Sequence, residues 1–215
     1  MIDLHTHSIF SDGELLPSEL VRRAVVHGYT AIAITDHIDF TNIEHVLDGI
    51  KKTAYLEEVW DIQVLPGVEI THVPPRKIKE LVSMARELGA RIVVVHGETL
   101  AEPVIPGTNR AAIDAGADIL AHPGLISTED AALAAKQGVC LEITSRCGHN
   151  RANGHVARVA EDVGAALVVG TDSHSPGDLL TDEQAYKIAL GAGLSEKRAN
   201  DALISQPLNL INAHR

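Results

Sequence analysis

Histidine is the unusual residue of this chain, with 12 copies among 215 residues against three tyrosines. Imidazole is the commonest metal ligand and a common general acid or base, so placement matters more than number. His5 and His7 are separated by Thr6 alone. Alternate residues of a strand face one side, which lets two imidazoles chelate one ion. Asp172-Ser173-His174 repeats that spacing with a carboxylate and an imidazole. Asp12, in the Ser11-Asp12-Gly13 turn, can fold back towards the same place, and Asp36-His37, Glu69, His96 and His122 add further ligand types. Each has an ordinary alternative: a turn aspartate at 12, a helix cap at Asp36, a buried ion-pair partner at Glu69.

Strands and helices decide whether these side chains can meet. Apolar, Val- and Ile-rich runs at 2–7, 31–36, 63–71, 91–96, 118–122, 139–144 and 166–171 alternate with helical stretches. The helices are predicted at 17–27, 44–60, 75–88, 110–115, 129–136, 153–163 and 182–190, with a last one at 196–204. Runs without alternation suit strands buried on both faces, as in a parallel sheet. Gly28, Gly89, Gly116, Gly138 and Gly164 follow helical stretches, where a left-handed cap favours glycine. An eight-unit barrel takes about 250 residues, roughly 31 per βα unit, so this length holds about seven units. Seven units favour a barrel, although periodicity leaves an open sheet as an alternative. Functional sites of parallel α/β folds form at the C-terminal ends of the strands. Six of the seven runs end in, or are followed by, the ligand-type residues named above.

The sixth unit carries a second cluster, Ser145-Arg146-Cys147-Gly148-His149-Asn150-Arg151, followed by His155. Arginine's planar fork matches phosphate oxygens. Arg146, His149 and Arg151 are therefore candidate phosphate or substrate contacts, against the alternative of a solvated loop. The long segment 97–109, with Glu98 and Glu102, is placed over the barrel mouth or is a plain connection. Asp36 is expected to orient the His37 imidazole. His27, His45 and His214 are read as ordinary surface or tail residues, and His72 as a candidate for the edge of the site.

These residues resemble the polymerase and histidinol phosphatase (PHP) family. The likeness runs through Asp3-Leu4-His5-Thr6-His7-Ser8, Ser11-Asp12-Gly13, Ile34-Thr35-Asp36-His37, Gly67-Val68-Glu69, Val95-His96-Gly97, Ala121-His122-Pro123 and Gly170-Thr171-Asp172-Ser173-His174. Each motif is weak alone; their order is specific. The resemblance implies an α/β fold, a distorted (βα)7 TIM-like barrel with parallel strands, and a single PHP domain over 1–215. It also implies a trinuclear centre. His5, His7, Asp172 and a bridging Glu69 would hold one ion. Glu69, His96 and His122 would hold the second, and Asp12, His37 and His174 the third. Such mixed imidazole and carboxylate sets suit two to three divalent zinc, manganese or iron ions.

The activity implied is phosphoesterase chemistry on a small-molecule phosphate monoester, with a metal-activated hydroxide attacking phosphorus. His174, Asp12 and Asp172 are the candidates to protonate the leaving oxygen, although a tightly ligated residue is a poor acid. His174 is the candidate catalytic residue, and the general acid is otherwise unassigned. Alternatives are a phosphodiesterase or nucleotide phosphohydrolase, an amidohydrolase-type C–N hydrolase, and a non-catalytic metal-binding domain. Lys plus Arg is 18 and Asp plus Glu 29, a formal charge of −11. That opposes general affinity for nucleic-acid phosphates or anionic membranes. No signal peptide, membrane-spanning run or CxxC pair is read, so a cytoplasmic protein with free thiols at Cys140 and Cys147 is expected. Nothing in the chain indicates an oligomeric state.

Overall fold

In the computed structural model, which describes residues 1–213, all strand pairings are parallel. The strands are β1 (Ile2–Asp3), β2 (Ala31–Ile34), β3 (His37–Ile38), β4 (Gln63–Ile70), β5 (Ile92–His96), β6 (Ile119–Ala121), β7 (Cys140–Thr144) and β8 (Leu167–Gly170). β2 and β3 are two pieces of one stave, both pairing with β4. Seven staves therefore form a nearly closed barrel, with helices between them. At its C-terminal end the seam is tied by Thr6 bridging to Ser173 and by the Asp172 N–H on the His5 carbonyl at 2.9 Å. The Thr171 hydroxyl also donates to the Asp3 carboxylate at 2.6 Å.

The helices are α1 (Pro17–Val26), α2 (Ile43–Lys51), α3 (Pro75–Glu87), α4 (Thr108–Ala115), α5 (Thr128–Gln137), α6 (Asn153–Val163), α7 (Asp182–Gly191), α8 (Glu196–Asn200) and α9 (Gln206–Ala213). Two differ from expectation. The helix predicted over 44–60 tightens to 3₁₀ geometry at Lys52–Glu58. There the Thr53 hydroxyl bonds the Ile50 carbonyl at 2.7 Å and competes with the helical ladder. The final helical region continues past 204 through a π turn, Asp201–Ser205, into α9. Pro207 lacks the N–H that would continue the regular ladder at that junction. His214, read as a tail residue, lies outside the described residues. Among the described residues, no helix is long and apolar enough to cross a membrane.

Two apolar clusters follow from alternation along the staves. Ile32 and Ile34, Val93 and Val95, and Leu141 and Ile143 point outward and pack with the helices. Ala31 and Ala33, Leu65, Ile92 and Val94, Ile119 and Ala121, Cys140 and Val168 point inward. Leu210 and Ile211 of α9 join this inner cluster. That contact explains why the last helix extends beyond the predicted boundary.

Candidate metal centre

The same alternation carries polar side chains into the upper barrel. On β5, Ile92 and Val94 face inward, and His96 is the next residue of that series. On β4, Leu65 is followed two steps on by Gly67 and then by Glu69. A Cβ at Gly67 would sit 2.9 Å from the Ile92 carbonyl oxygen, so glycine permits the close strand approach. On β7, Cys140 is followed by Glu142. His122 breaks the pattern. Ile119 and Ala121 face inward, so a continued strand would turn residue 122 outward. Its φ of 29° redirects the chain, and Asp172 has a φ of 50°. Left-handed backbone is uncommon for non-glycine residues and persists where the surroundings enforce it.

Glu69 is the focus. Its Oε2 lies 3.4 Å from His5 Nε2, 3.4 Å from His7 Nε2 and 2.8 Å from His37 Nδ1. Its Oε1 lies 3.3 Å from His96 Nδ1 and 3.6 Å from His122 Nε2. Asp172 Oδ1 is 3.2 Å from His7 Nε2 and 3.7 Å from His5 Nε2. Asp12 reaches in from its turn, with Oδ1 3.1 Å from His174 Nε2 and 3.4 Å from His37 Nε2. All nine residues expected as ligands thus come together.

The donor atoms test whether ions fit. Both Glu69 oxygens, His5 Nε2, and both ring nitrogens of His7, His96 and His122 are buried without a hydrogen bond. Buried polar atoms are nearly always paired, and leaving one unpaired costs about 1–3 kcal/mol. A concentration of orphaned acceptors and imidazoles therefore suits cations. Donor atoms also fall into compact groups, each within 4.8 Å: His5, His7 and Asp172; His7, Asp12, His37 and His174; His96, His122 and His149.

Neighbouring groups aim the imidazoles. His5 Nδ1 is 2.7 Å from Glu142 Oε1, a contact that turns Nε2 towards Glu69 and Asp172. The other Glu142 oxygen accepts from the His122 N–H at 3.0 Å. His37 Nδ1 meets the Thr71 hydroxyl at 2.7 Å, and His174 Nδ1 the Asp172 carbonyl at 2.9 Å. Glu142 is a site residue that the motif reading missed. Its signal was an acid within the apolar run 139–144, two residues after inward-facing Cys140.

The electrostatics reflect burial against pairing. Burial pushes the His7 pKa down to about 4. Burial also works against the charged forms of Glu69 and Asp172, but the imidazoles around them hold both carboxyls below the usual range. His96 is depressed by burial and raised more strongly by Glu102 and Glu69, to about 10. Glu102 is held down to about 2 by the same pairing.

The remaining expectations divide. Asp36 does not orient His37. Its carboxylate accepts from the Ser8 N–H at 2.8 Å, the Ser8 hydroxyl at 2.7 Å and the Ser11 hydroxyl at 2.6 Å. It therefore fastens the loop that carries Asp12, because those donors lie nearer its oxygens than any imidazole nitrogen. Arg146 lines a cavity of about 40 Å³ at the barrel mouth, together with Asp12, His37, His96, Glu102, His149, Asp172 and His174. Asp178 Oδ2 sits 3.4 Å from its guanidinium. Arg151 is exposed and stands apart from that cavity. His149 is buried at the cavity wall. His155 is taken up by the Ile126 carbonyl at 2.8 Å. Segment 97–109 does reach the mouth through Glu102, and it is pinned by Glu98 Oε1, which accepts from the N–H groups of Gly107 and Asn109 at 2.9 Å. His72 borders this region, 3.2 Å from Glu102. Cys140 and Cys147 are free thiols.

Comparison with known proteins agrees with this geometry. The PHP domain model matches residues 3–95. An uncharacterized protein of Methanocaldococcus jannaschii is 50% identical over 214 residues, covering 97% of each chain. Ribonuclease P protein component 3 of Methanosarcina mazei is 28% identical over 230 residues, covering 99% of this chain and 89% of that one. Among solved structures, histidinol phosphate phosphatase of Lactococcus lactis, complexed with zinc, L-histidinol and phosphate, superposes with a TM-score of 0.65 at 20% identity. That match covers 90% of this chain and 94% of the other. The motifs, the seven-stave barrel and these relatives together show that the chain belongs to the PHP family.

Proposed function

We propose that the protein is a metal-dependent phosphoesterase acting on a small-molecule phosphate monoester. The observation that carries this reading is the set of buried, unpaired imidazole nitrogens and carboxylate oxygens gathered around Glu69. His5, His7 and Asp172 would hold one ion with Glu69. Glu69, His96 and His122 would hold a second, and Asp12, His37 and His174 a third. Divalent zinc, manganese or iron suits these donors and supplies Lewis-acid stabilisation of phosphoryl charge and acidification of water.

The chain's own residues do the rest. Glu142 holds the His5 ring so that Nε2 faces the centre. Arg146 offers a planar cation at the cavity wall, suited to phosphate oxygens. Asp178 orients Arg146 while accepting from the N–H groups of His174 and Ser175 at 3.0 and 2.8 Å. One carboxylate thereby ties the guanidinium to the Asp172–His174 segment.

The test combines elemental analysis after native purification with phosphate release from a phosphomonoester panel, run separately with manganese and zinc. Stoichiometric transition metal and phosphate release are expected, with activity lost in folded His5→Ala and Asp172→Ala proteins. Arg146→Ala should weaken inhibition by inorganic phosphate about tenfold while metal content stays unchanged. Absence of bound metal would sink the centre. Cleavage of phosphodiesters or cyclic amides, but not monoesters, would redirect the reaction class. A second reading, a component of an RNA–protein assembly, is favoured by the 28% identity to ribonuclease P protein component 3 over nearly the whole chain. Co-purification with RNA and no phosphate release from any ester would support it.

A further inference from the structure

We propose that His149 is a ligand of the metal centre, joining Glu69, His96 and His122 as a fourth protein donor to one ion. This inference rests on the metal-centre reading above. It departs from the expectation that His149 contacts substrate phosphate.

His149 is only 9% exposed, and its Nδ1 is buried without a hydrogen bond. Its ring centroid lies 4.4 Å from that of His122 and 5.8 Å from that of His96. Ligand atoms of the three imidazoles lie within 4.8 Å of one another. Metal–nitrogen distances of about 2.0–2.1 Å make such a cluster compatible with one ion after small ring adjustments. The other nitrogen, Nε2, faces Glu102 Oε1 at 3.5 Å. A carboxylate beside that nitrogen opposes an incoming phosphate and instead holds the ring as metal-bound imidazoles are commonly held.

The segment presenting His149 is fixed from several sides. The Asn153 side chain clamps the end of β7, donating to the Thr144 carbonyl at 2.8 Å and accepting from its N–H at 3.3 Å. The Asn150 N–H donates to the Arg146 carbonyl at 3.0 Å. Gly148 takes a φ of 89° immediately before the short 3₁₀ helix His149–Ala152. Ligation at His149 would therefore also order the turn that carries Arg146. His149 would thereby tie the His96 and His122 side of the centre to the cavity mouth that Arg146 lines.

Cobalt(II) titration of the full-length, metal-stripped protein tests this. The wild-type protein should show visible d–d absorption. His149→Ala, folded by circular dichroism, should lose intensity and bind one cobalt at least about tenfold more weakly, the lower bound for losing even an outlying partner. His149→Cys, in a Cys147→Ser background, should gain a thiolate-to-cobalt charge-transfer band in the near ultraviolet that the Cys147→Ser protein lacks. A wild-type spectrum and affinity in His149→Ala, or no such band in folded, cobalt-loaded His149→Cys, overturns the assignment while leaving the metal centre standing. No cobalt uptake by the wild-type protein overturns both.

Discussion

The two halves of the barrel interior are built on the same staves and obey opposite rules. In the lower half, Leu65, Ile92, Val94, Ile119 and Cys140 form an apolar cluster closed by Leu210 and Ile211. In the upper half, the next inward positions are Glu69, His96 and Glu142, equally buried. The lower half gains stability from apolar burial and close packing. The upper half buries carboxylates and unpaired imidazoles, which cost stability unless cations compensate them. The difference separates what holds the fold from what the fold holds. A third region completes the contrast. A cavity of about 610 Å³ lies at the opposite end, between Met1, Ile2, Tyr186, Leu203 and Leu208, and contains none of the candidate site residues. Size alone points away from the chemistry here.

Substitutions on different staves test this division. The largest stability loss belongs to the lower half. Leu65→Ala should cost about 2–5 kcal/mol in denaturant unfolding, while elemental analysis finds wild-type metal content. Loss of metal from a folded Leu65→Ala protein would show that the halves are not separable.

The barrel seam, where Asp3 meets Thr171, should report through pH. Burial raises the Asp3 pKa from 3.8 to about 6, despite its hydrogen bonds from Thr171 and the His5 N–H. The folded state therefore holds that proton more tightly than the unfolded state. Its contribution to stability is complete below about pH 4 and is lost as pH rises towards about 6, a change of up to about 3 kcal/mol. Asp3→Asn should remove this part of the decline, as measured by unfolding midpoints across that range. An unchanged slope would show that Asp3 titrates as it does in the unfolded chain.

The smallest effect is expected at Gly170. A Cβ there would lie 2.1 Å from Glu142 Oε1 and 3.3 Å from His5 Cβ. Gly170→Ala should destabilise by about 1–3 kcal/mol through overpacking. It should also weaken metal binding, because the displaced carboxylate holds His5 and the His122 N–H. Unchanged metal affinity in isothermal titration would remove Glu142 from the positioning role.

Much of this was legible in the residues. The seven βα units, the C-terminal placement of His5, His7, His37, Glu69, His96, His122, Asp172 and His174, and the mouth position of Arg146 follow from spacing and strand ends. Glu142 was equally accessible through alternation from Cys140, but it lay outside every motif. Adjacency of Asp36 to His37 in the chain says nothing about which donors, here Ser8 and Ser11, arrive from a neighbouring loop. Arg151 shares a turn with His149, yet only His149 turns into the cavity wall.

The alternation, the number of units and the inventory of ligand types are written in the chain itself, because they depend on local periodicity and residue chemistry. The tertiary structure decided which of them converge. Alternation places Ile2 and Leu4 inside the barrel, yet His5 and His7, of the opposite parity, reach its centre once regular strand geometry ends at Asp3. His122 needs a left-handed backbone to reach Glu69. His149 reaches the same place from a 3₁₀ turn behind Glu102. Such placements depend on closing the barrel, where contacts between distant segments override the pattern within each.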